Sequence, residues 1–283
     1  MHQNKTSALS DALTVPRAPS FIVTLYGDIV APRAGGLWIG TLIECCEAHG
    51  LSEGLVRTAV SRLVSSGRLE GERIGRKSYY RLTDMAKEEF EAAARVLYAP
   101  PPQPTGWLVT LSEAETVSTD WQPIGPKSFI APRRNDVLRP DAAVLSCDTV
   151  AGIGALRGFA AQAWPLAEVG AKYDAFLSVF APILAHVWEA GAPPGPDALA
   201  LRLQLVHAYR HAALVDPRLP EAALPDGWPG GRARALFVRG YLALTRAADE
   251  HVGLTFHDSR GLLAAATAAT ELREDRLRRE LLS

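Results

Sequence analysis

The stretch "LSEGLVRTAVSRLVSSGRLEGERIGRKSYYRL" (Leu51–Leu82) decides the fold. Its first half repeats apolar residues at helical spacing. Leu55, Ala59 and Leu63, flanked by Val56 and Val60, form an inward stripe. Ser52 stands at an N-cap position with Glu53 behind it, and Gly67 stands where the helix should end. Glu53, Arg57, Thr58, Ser61, Arg62 and Ser65 are left facing outward. The second half changes period. "RLEGERI" and "KSYYRL" are strand-like runs around "GRK", which predicts a hairpin with Arg73, Arg76 and Lys77 at or beside its tip. Ser78 opens the return strand, and Tyr79 and Tyr80 alternate faces, one of them directed at the core.

Upstream, "SFIVTLYGDIV" (Ser20–Val30) lies between Pro19 and Pro32 and fits a buried helix capped by Ser20. "LWIGTLIECCEAHG" follows, with Ile39, Leu42, Ile43 and Cys46 on one stripe and Gly50 as its stop. Two helices joined by a short turn are imitated by any αα-hairpin. A cationic β-hairpin directly after them is not, and together these elements predict a winged helix-turn-helix.

Charge agrees. Leu51–Leu82 carries seven basic and three acidic residues, a net of +4 in a chain whose formal charge is -1. Positive charge gathered on one segment of a nearly neutral chain fits double-stranded nucleic acid. In that reading the Ser52–Ser65 helix enters the major groove. Arg57 and Arg62 are placed to pair with guanine, and Thr58 and Ser61 to reach bases or phosphate. Arg73, Arg76, Lys77, Ser78 and one of Tyr79 and Tyr80 take backbone phosphate or the minor groove.

The remaining composition is that of an ordinary globular protein: 283 residues, 48% hydrophobic and 22% charged. Cys45, Cys46 and Cys147 have no zinc spacing and read as reduced thiols. No apolar run reaches the ~18 residues of a membrane span, and no secretory leader is recognisable, so a cytoplasmic protein with no membrane partner is expected. Residues 1–17 read as a disordered tail, 18–98 as the DNA-binding domain, and "YAPPPQPTG" (Tyr98–Gly106) as a stiff crossing. Residues 107–147 hold three strand-like runs, "WLVTL", "SFIAP" and "AAVLS". Residues 148–283 read as an α-helical ligand and dimerisation domain, with helices near Pro165–Glu189, Asp197–Leu214 and Pro229–His251 and a charged terminal segment. The fold class expected is mainly α with small β parts.

Few residues suggest chemistry. His207 and His211 are four apart on one helix face, but no third ligand stands near, so no metal is expected. "GIGALRG" (Gly152–Gly158) lacks the βαβ setting of a dinucleotide fingerprint. Gly230 and Gly231 after Pro229 could expose amides to an anion, but a structural corner between packed helices is the favoured reading. With no nucleophile–base pair, no enzyme and no cofactor are expected.

The run from Leu25 to Phe90, above all "VRTAVSRLV" and "GRKSYYRLT", resembles the winged-helix domain of the phenylacetate-degradation repressor (PaaX) family. "HAYRHAALVDPRLPEAALPDGWPG" (His207–Gly230) is similar to that family's C-terminal signature. The resemblance implies a homodimeric transcriptional repressor of a catabolic operon for phenylacetate or a related aromatic acid. It also implies release from DNA by an aryl-CoA or acyl-CoA effector. Arg133, Arg134, Arg210 and Trp228 are the candidate effector residues. The resemblance further implies a ferredoxin-like, Cas2-like middle module. Here Ser112–Lys127 is short and contains Pro123, Gly125 and Pro126, so a reduced module without its first helix is expected. The alternative function is a Cas2-like metal-dependent nuclease, for which Asp136 and Asp141 are the available carboxylates.

Overall fold

The computed structural model describes residues 15–111 and 118–282. The tail expected over 1–17 lies outside the described residues except for its last three, and the segment 112–117 lies outside them too. The fold is mainly helical with small antiparallel sheets. In chain order the elements are α1 (Ala18–Leu25), β1 (Leu37–Trp38), α2 (Ile39–Glu47), α3 (Glu53–Ser65), β2 (Leu69–Ile74), β3 (Lys77–Leu82) and α4 (Asp84–Tyr98). Then come β4 (Trp107–Leu111), β5 (Gln122–Gly125), β6 (Ser128–Pro132), β7 (Ala143–Cys147), α5 (Ile153–Ala163) and α6 (Leu166–Ala190). The chain closes with α7 (Gly195–Ala213), α8 (Gly230–Thr255), the short pair β8 (His257–Asp258) and β9 (Gly261–Leu262), and α9 (Ala268–Leu282).

Two compact units interleave along the chain. The first draws on the chain up to Pro100, on Ala175–His211, and on the chain from Arg232 onward. The second draws on Pro101–Asp174 and Ala212–Gly231.

In the first unit α1 starts earlier than a Ser20 cap would allow. Arg17 occupies the N-cap and Pro19 sits in the first turn, where its missing N–H has no helical partner to lose. The helix widens into a π turn over Tyr26–Val30, closed by the Ala31 N–H on Tyr26 O. Helices α2 and α3 end alike. Leu51 N–H reaches Cys46 O and Gly50 N–H reaches Glu47 O, while Arg68 N–H reaches Leu63 O and Gly67 N–H reaches Val64 O. Each is a Schellman close with glycine in the left-handed region, at φ +77 for Gly50 and +70 for Gly67. Further along, α6 and α8 approach so closely that a Cβ on Gly240 would lie 2.4 Å from Leu184 Cδ1.

The interior of this unit is not wholly apolar. Asp28, 1% exposed, forms an ion pair with Arg202 (Nε to Oδ2, 3.0 Å, without the alignment of a hydrogen bond) and accepts from Arg273 Nη1 at 3.1 Å on Oδ1. The Tyr98 and Tyr241 hydroxyls donate to the same Oδ1 at 2.9 and 3.0 Å. Arg202 continues to Asp249 at 2.8 Å, and Asp249 to Arg33 at 3.0 Å. Three guanidinium groups therefore alternate with two carboxylates. Backbone carbonyls complete the pattern: Gly27 O and Asp28 O accept from Arg273, and Ile29 O, Ala264 O and Ala265 O from Arg33. Burial alone would raise the Asp28 carboxyl, but Arg202 and Arg273 outweigh it and hold it below the usual carboxylate range.

The second unit is built on a four-stranded antiparallel sheet of order β5-β6-β4-β7. One face carries Trp107 and Ile130 against Ala160 of α5, Trp164, Leu219 and Ala223. The other carries Leu108, Phe129 and Ala131 against Trp121 and Val137. Strand β5 is absent from the sequence reading because Pro123 breaks its pattern. It pairs only with β6, at the sheet edge, where a missing N–H is tolerated. Helix α5 is likewise outside the sequence expectation, because the three glycines of "GIGALRG" weaken its helical pattern. Residues 118–127 form no helix; the rest of the expected gap, 112–117, lies outside the described residues.

Two outcomes are expected. Asp28→Asn keeps the shape but leaves Arg202 and Arg273 buried without their anion, costing about 3–5 kcal/mol in denaturant unfolding. In the wild type the Asp28 contribution is complete above about pH 4 and is lost as pH falls through its depressed folded value. His207 adds an acid limb at higher pH. Burial, then His211, Arg210 and His49, push it down to about 3, so the folded chain refuses a proton that the unfolded chain accepts near pH 6.5. Stability should fall by about 1.4 kcal/mol per pH unit below about pH 6.5, and His207→Gln should flatten that limb in unfolding curves taken at pH 7, 6 and 5.

Candidate nucleic-acid interface

The outward face of α3 carries Arg57, Thr58, Ser61 and Arg62, all exposed, while Val56, Ala59, Val60 and Leu63 face the core. Leu55 corrects the expected stripe: it is 54% exposed, because α3 turns Val56 and Val60 inward against α1 instead. Ser52 holds the N-cap position with extended backbone, but its side chain makes no capping bond. Arg57 Nε pairs with Glu53 at 2.7 Å, one turn back, and both side chains stay more than half exposed. Thr58 Oγ1 donates to Gly54 O within the helix. The Arg62 side chain has no ion pair or hydrogen bond among the described residues.

Strands β2 and β3 form a six-pair antiparallel ladder from Leu69↔Leu82 to Ile74↔Lys77. The connection is Gly75-Arg76, with Gly75 at φ +62, a glycine-first two-residue turn. Arg76 projects from it exposed and unpaired among the described residues. Arg73 Nε bonds Gly75 O at 3.3 Å and steadies the tip. Lys77 Nζ lies 4.5 Å from the centroid of the Trp38 ring, a cation–π seat that leaves it exposed. That ring is seated by Gly40, where a Cβ would come within 2.5 Å of it.

Neither wing tyrosine goes fully into the core. Ser78, Tyr79 and Tyr80 are all half-buried, because β1 pairs beside them as Leu37↔Tyr80 and Trp38↔Tyr79. The Tyr80 ring lies across Gly71, where a Cβ would meet it at 2.9 Å, and Tyr80 O accepts from Tyr26 Oη at 3.0 Å. Thr83 joins hairpin and helices. Its Oγ1 donates to Gly67 O at 2.6 Å and accepts the Ala86 N–H, capping α4. Helix α3, the hairpin and the start of α4 are therefore fixed to one another, and the cations expected to read nucleic acid stand exposed on α3 and at the hairpin tip.

The candidate effector residues are divided between the two units: Arg210 belongs to the first, Arg133, Arg134 and Trp228 to the second. Arg134 is 4% exposed and fully engaged: it pairs with Asp120 and Asp136, each at 2.8 Å, and donates to Pro217 O. Its partners lie far along the chain, which hid this structural role from the sequence. Arg133 is held by Thr105, Ser146 and Asp148. Trp228 packs edge-on to Tyr173 and over Gly170. Arg210 belongs to the first unit, where it donates to Ser20 O and Thr24 Oγ1. Each of these cations already has partners within its own unit.

The nuclease alternative fares no better. Asp136 takes Arg134 on Oδ1 and Arg218 on Oδ2 at 2.9 Å. Burial raises its carboxyl, but these two cations hold it below the usual range. Among the described residues no group of His, Cys, Asp and Glu is arranged to hold a metal ion. His207 and His211 stack edge-on at 4.7 Å, yet His207 Nδ1 lies 2.8 Å from Thr24 Oγ1 and is thereby engaged. Among the described residues no helix is long and apolar enough to cross a membrane.

Comparison with known proteins places this architecture. Residues 17–86 match the profile of the PaaX-like protein family, and residues 164–253 match that of the PaaX-like protein C-terminal domain. The chain is 34% identical over 272 residues to the transcriptional repressor PaaX of Escherichia coli (strain K12), spanning 87% of this chain and 86% of that protein. A solved structure of an uncharacterised Mycobacterium tuberculosis protein aligns with 81% of this chain and 99% of its own, at 18% identity and a TM-score of 0.47. On the strength of the two profiles and the near full-length relative, the chain belongs to the PaaX family.

Proposed function

We propose that the chain is a sequence-specific transcriptional repressor that grips duplex DNA through a winged helix-turn-helix: α2 and α3 as the helix pair, and β2–β3 as the wing. One observation carries the reading. Arg57, Thr58, Ser61 and Arg62 on α3 and Arg76 and Lys77 at the hairpin tip are exposed on elements that Thr83 and the glycine closes lock together. In this reading the α3 side chains enter the major groove and the tip straddles phosphate. Arg62 and Arg76, with no partner among the described residues, give up no protein ion pair on binding.

The repressor reading extends to a homodimer on a palindromic operator, controlling genes for degradation of phenylacetate or a related aromatic acid. An acyl-CoA effector releases it. The order of the second unit's sheet supports a reduced ferredoxin-like module. Numbered within the sheet, its strands run 4-1-3-2 and all antiparallel, the order of a βαββαβ fold, while the connection from β6 to β7 carries no helix. Functionally the chain divides at 18–98, 107–147 and 148–283.

Selection of bound sites from random duplex DNA, followed by anisotropy titrations, tests the reading. Arg57→Ala should cost about 1–3 kcal/mol on the selected site and little on random duplex. Arg76→Ala should weaken both alike and reduce the salt slope by about 1. Equal losses for the two variants, or binding indifferent to salt, would remove the assigned roles.

A further inference from the structure

A cleft of about 920 Å³ opens in the first unit beside the hairpin. Strand β3 lines it through Tyr79–Leu82, α4 through Phe90 and Arg95, and α9 through Leu272 and Arg276. Its volume is at the upper end of the roughly 300–1,000 Å³ range of small-molecule sites. Six cationic and three acidic side chains line it. Four of those cations are paired: Arg81 with Glu70, Lys87 with Asp84, Arg260 with Asp258 and Arg273 with Asp28. Arg95 and Arg276 are not. Both are exposed and make no ion pair or hydrogen bond among the described residues. Two free guanidinium groups on neighbouring helices, above an apolar wall of Leu82, Phe90 and Leu272, suit a ligand that is anionic at one end and apolar at the other.

We propose that this cleft is the effector site, with Arg95 and Arg276 holding the phosphates of an acyl-CoA thioester and Leu82, Phe90 and Leu272 receiving its acyl or aryl group. The assignment rests on the reading of the chain as a repressor released by such a thioester, and it adds where the ligand sits and how it acts. The cleft is lined by the strand that carries Lys77 to the hairpin tip. A ligand seated there touches Tyr79–Leu82 and brings negative charge to the base of the wing. Ligand and DNA then compete through one strand, and each must weaken the other by the same factor.

The experiment measures release of the full-length protein from its selected duplex by phenylacetyl-CoA, with free CoA and phenylacetate as controls, and calorimetric binding of the same three compounds. Two variants are compared with the wild type. Arg95→Ala/Arg276→Ala removes the free cations, and Ala269→Trp fills the cleft from an exposed position on α9. Both should bind DNA as the wild type does without ligand. In both, the thioester concentration for half-release and its calorimetric Kd should rise by at least about tenfold, the loss of one charge-assisted hydrogen bond or more. Thioester release of the wild type with unchanged response in both variants overturns the cleft and leaves the effector reading standing. Failure of all three compounds to bind the wild type overturns both.

Discussion

The first unit is organised around one carboxylate that has no access to water. An isolated Asp28 anion at that depth would cost several kcal/mol, and its burial is tolerable only because two guanidinium groups and two tyrosine hydroxyls converge on it. Those partners come from α4, α7, α8 and α9, so segments more than two hundred residues apart must be in place before the charge is satisfied. A shift of any one of these helices would strand a buried ion, which adds to the ordinary resistance of a close-packed core. Arg234 extends the constraint. Its guanidinium donates to Leu97 O and Ala99 O at the end of α4 and forks onto Glu280 of α9. Helix α4 is thereby fixed at its far end by Arg234 and Tyr98 and at its near end by Thr83. The hairpin that leads into α4 inherits a rigid base.

How much of this was readable from sequence depends on the range of the interaction. Helix α3, the hairpin and their glycine closes are local: caps, periodicity and turn residues lie within a few positions of one another, and the structure places them where those signals do. The Asp28 network is the opposite case. "LYGDIVAPR" reads as an apolar helix with one incidental acid, Arg202 lies in the apolar run "ALALRLQLV" and Arg273 in a highly charged terminal helix, and none of these settings names a partner. Nothing short of the folded chain states that these three charges meet. Leu55 fails for a subtler reason. Two apolar stripes compete on α3, and only packing against α1 decides that Val56 and Val60 turn inward while Leu55 stays out.

The candidate site shows the same division. Outward cations on α3 and at the wing tip could be named because a helix face and a two-residue turn fix direction. The proposed effector residues could not, because a lone arginine says nothing about whether it is already paired. Arg133 and Arg134 looked available as an adjacent basic pair and are instead clamps within the second unit. Arg95 and Arg276 carry no distinguishing signal in the sequence, yet their side chains make no ion pair or hydrogen bond among the described residues. The useful distinction among thirty Lys and Arg residues is therefore pairing, which depends on tertiary placement.

Pairing also limits how the wing can respond. Strand β3 is held on one side by β2, on the other by β1, and from beneath by Tyr26 on Tyr80 O. A strand held on three sides does not deform smoothly under a ligand; it is displaced with its neighbours or not at all. Beneath the cleft, Arg273 stacks 3.7 Å from the Tyr98 ring centroid while holding Asp28. An anion bound above it meets a guanidinium whose charge is already committed, so the Asp28 network resists being drawn outward. On the hairpin side of the cleft the only ion pair holding the wall is that of Arg81 with Glu70 among the described residues, exposed and weak. On the proposed assignment, a ligand in the cleft displaces the hairpin as one body with its neighbouring strands against the fixed Asp28 network, and that displacement is what reaches the hairpin tip.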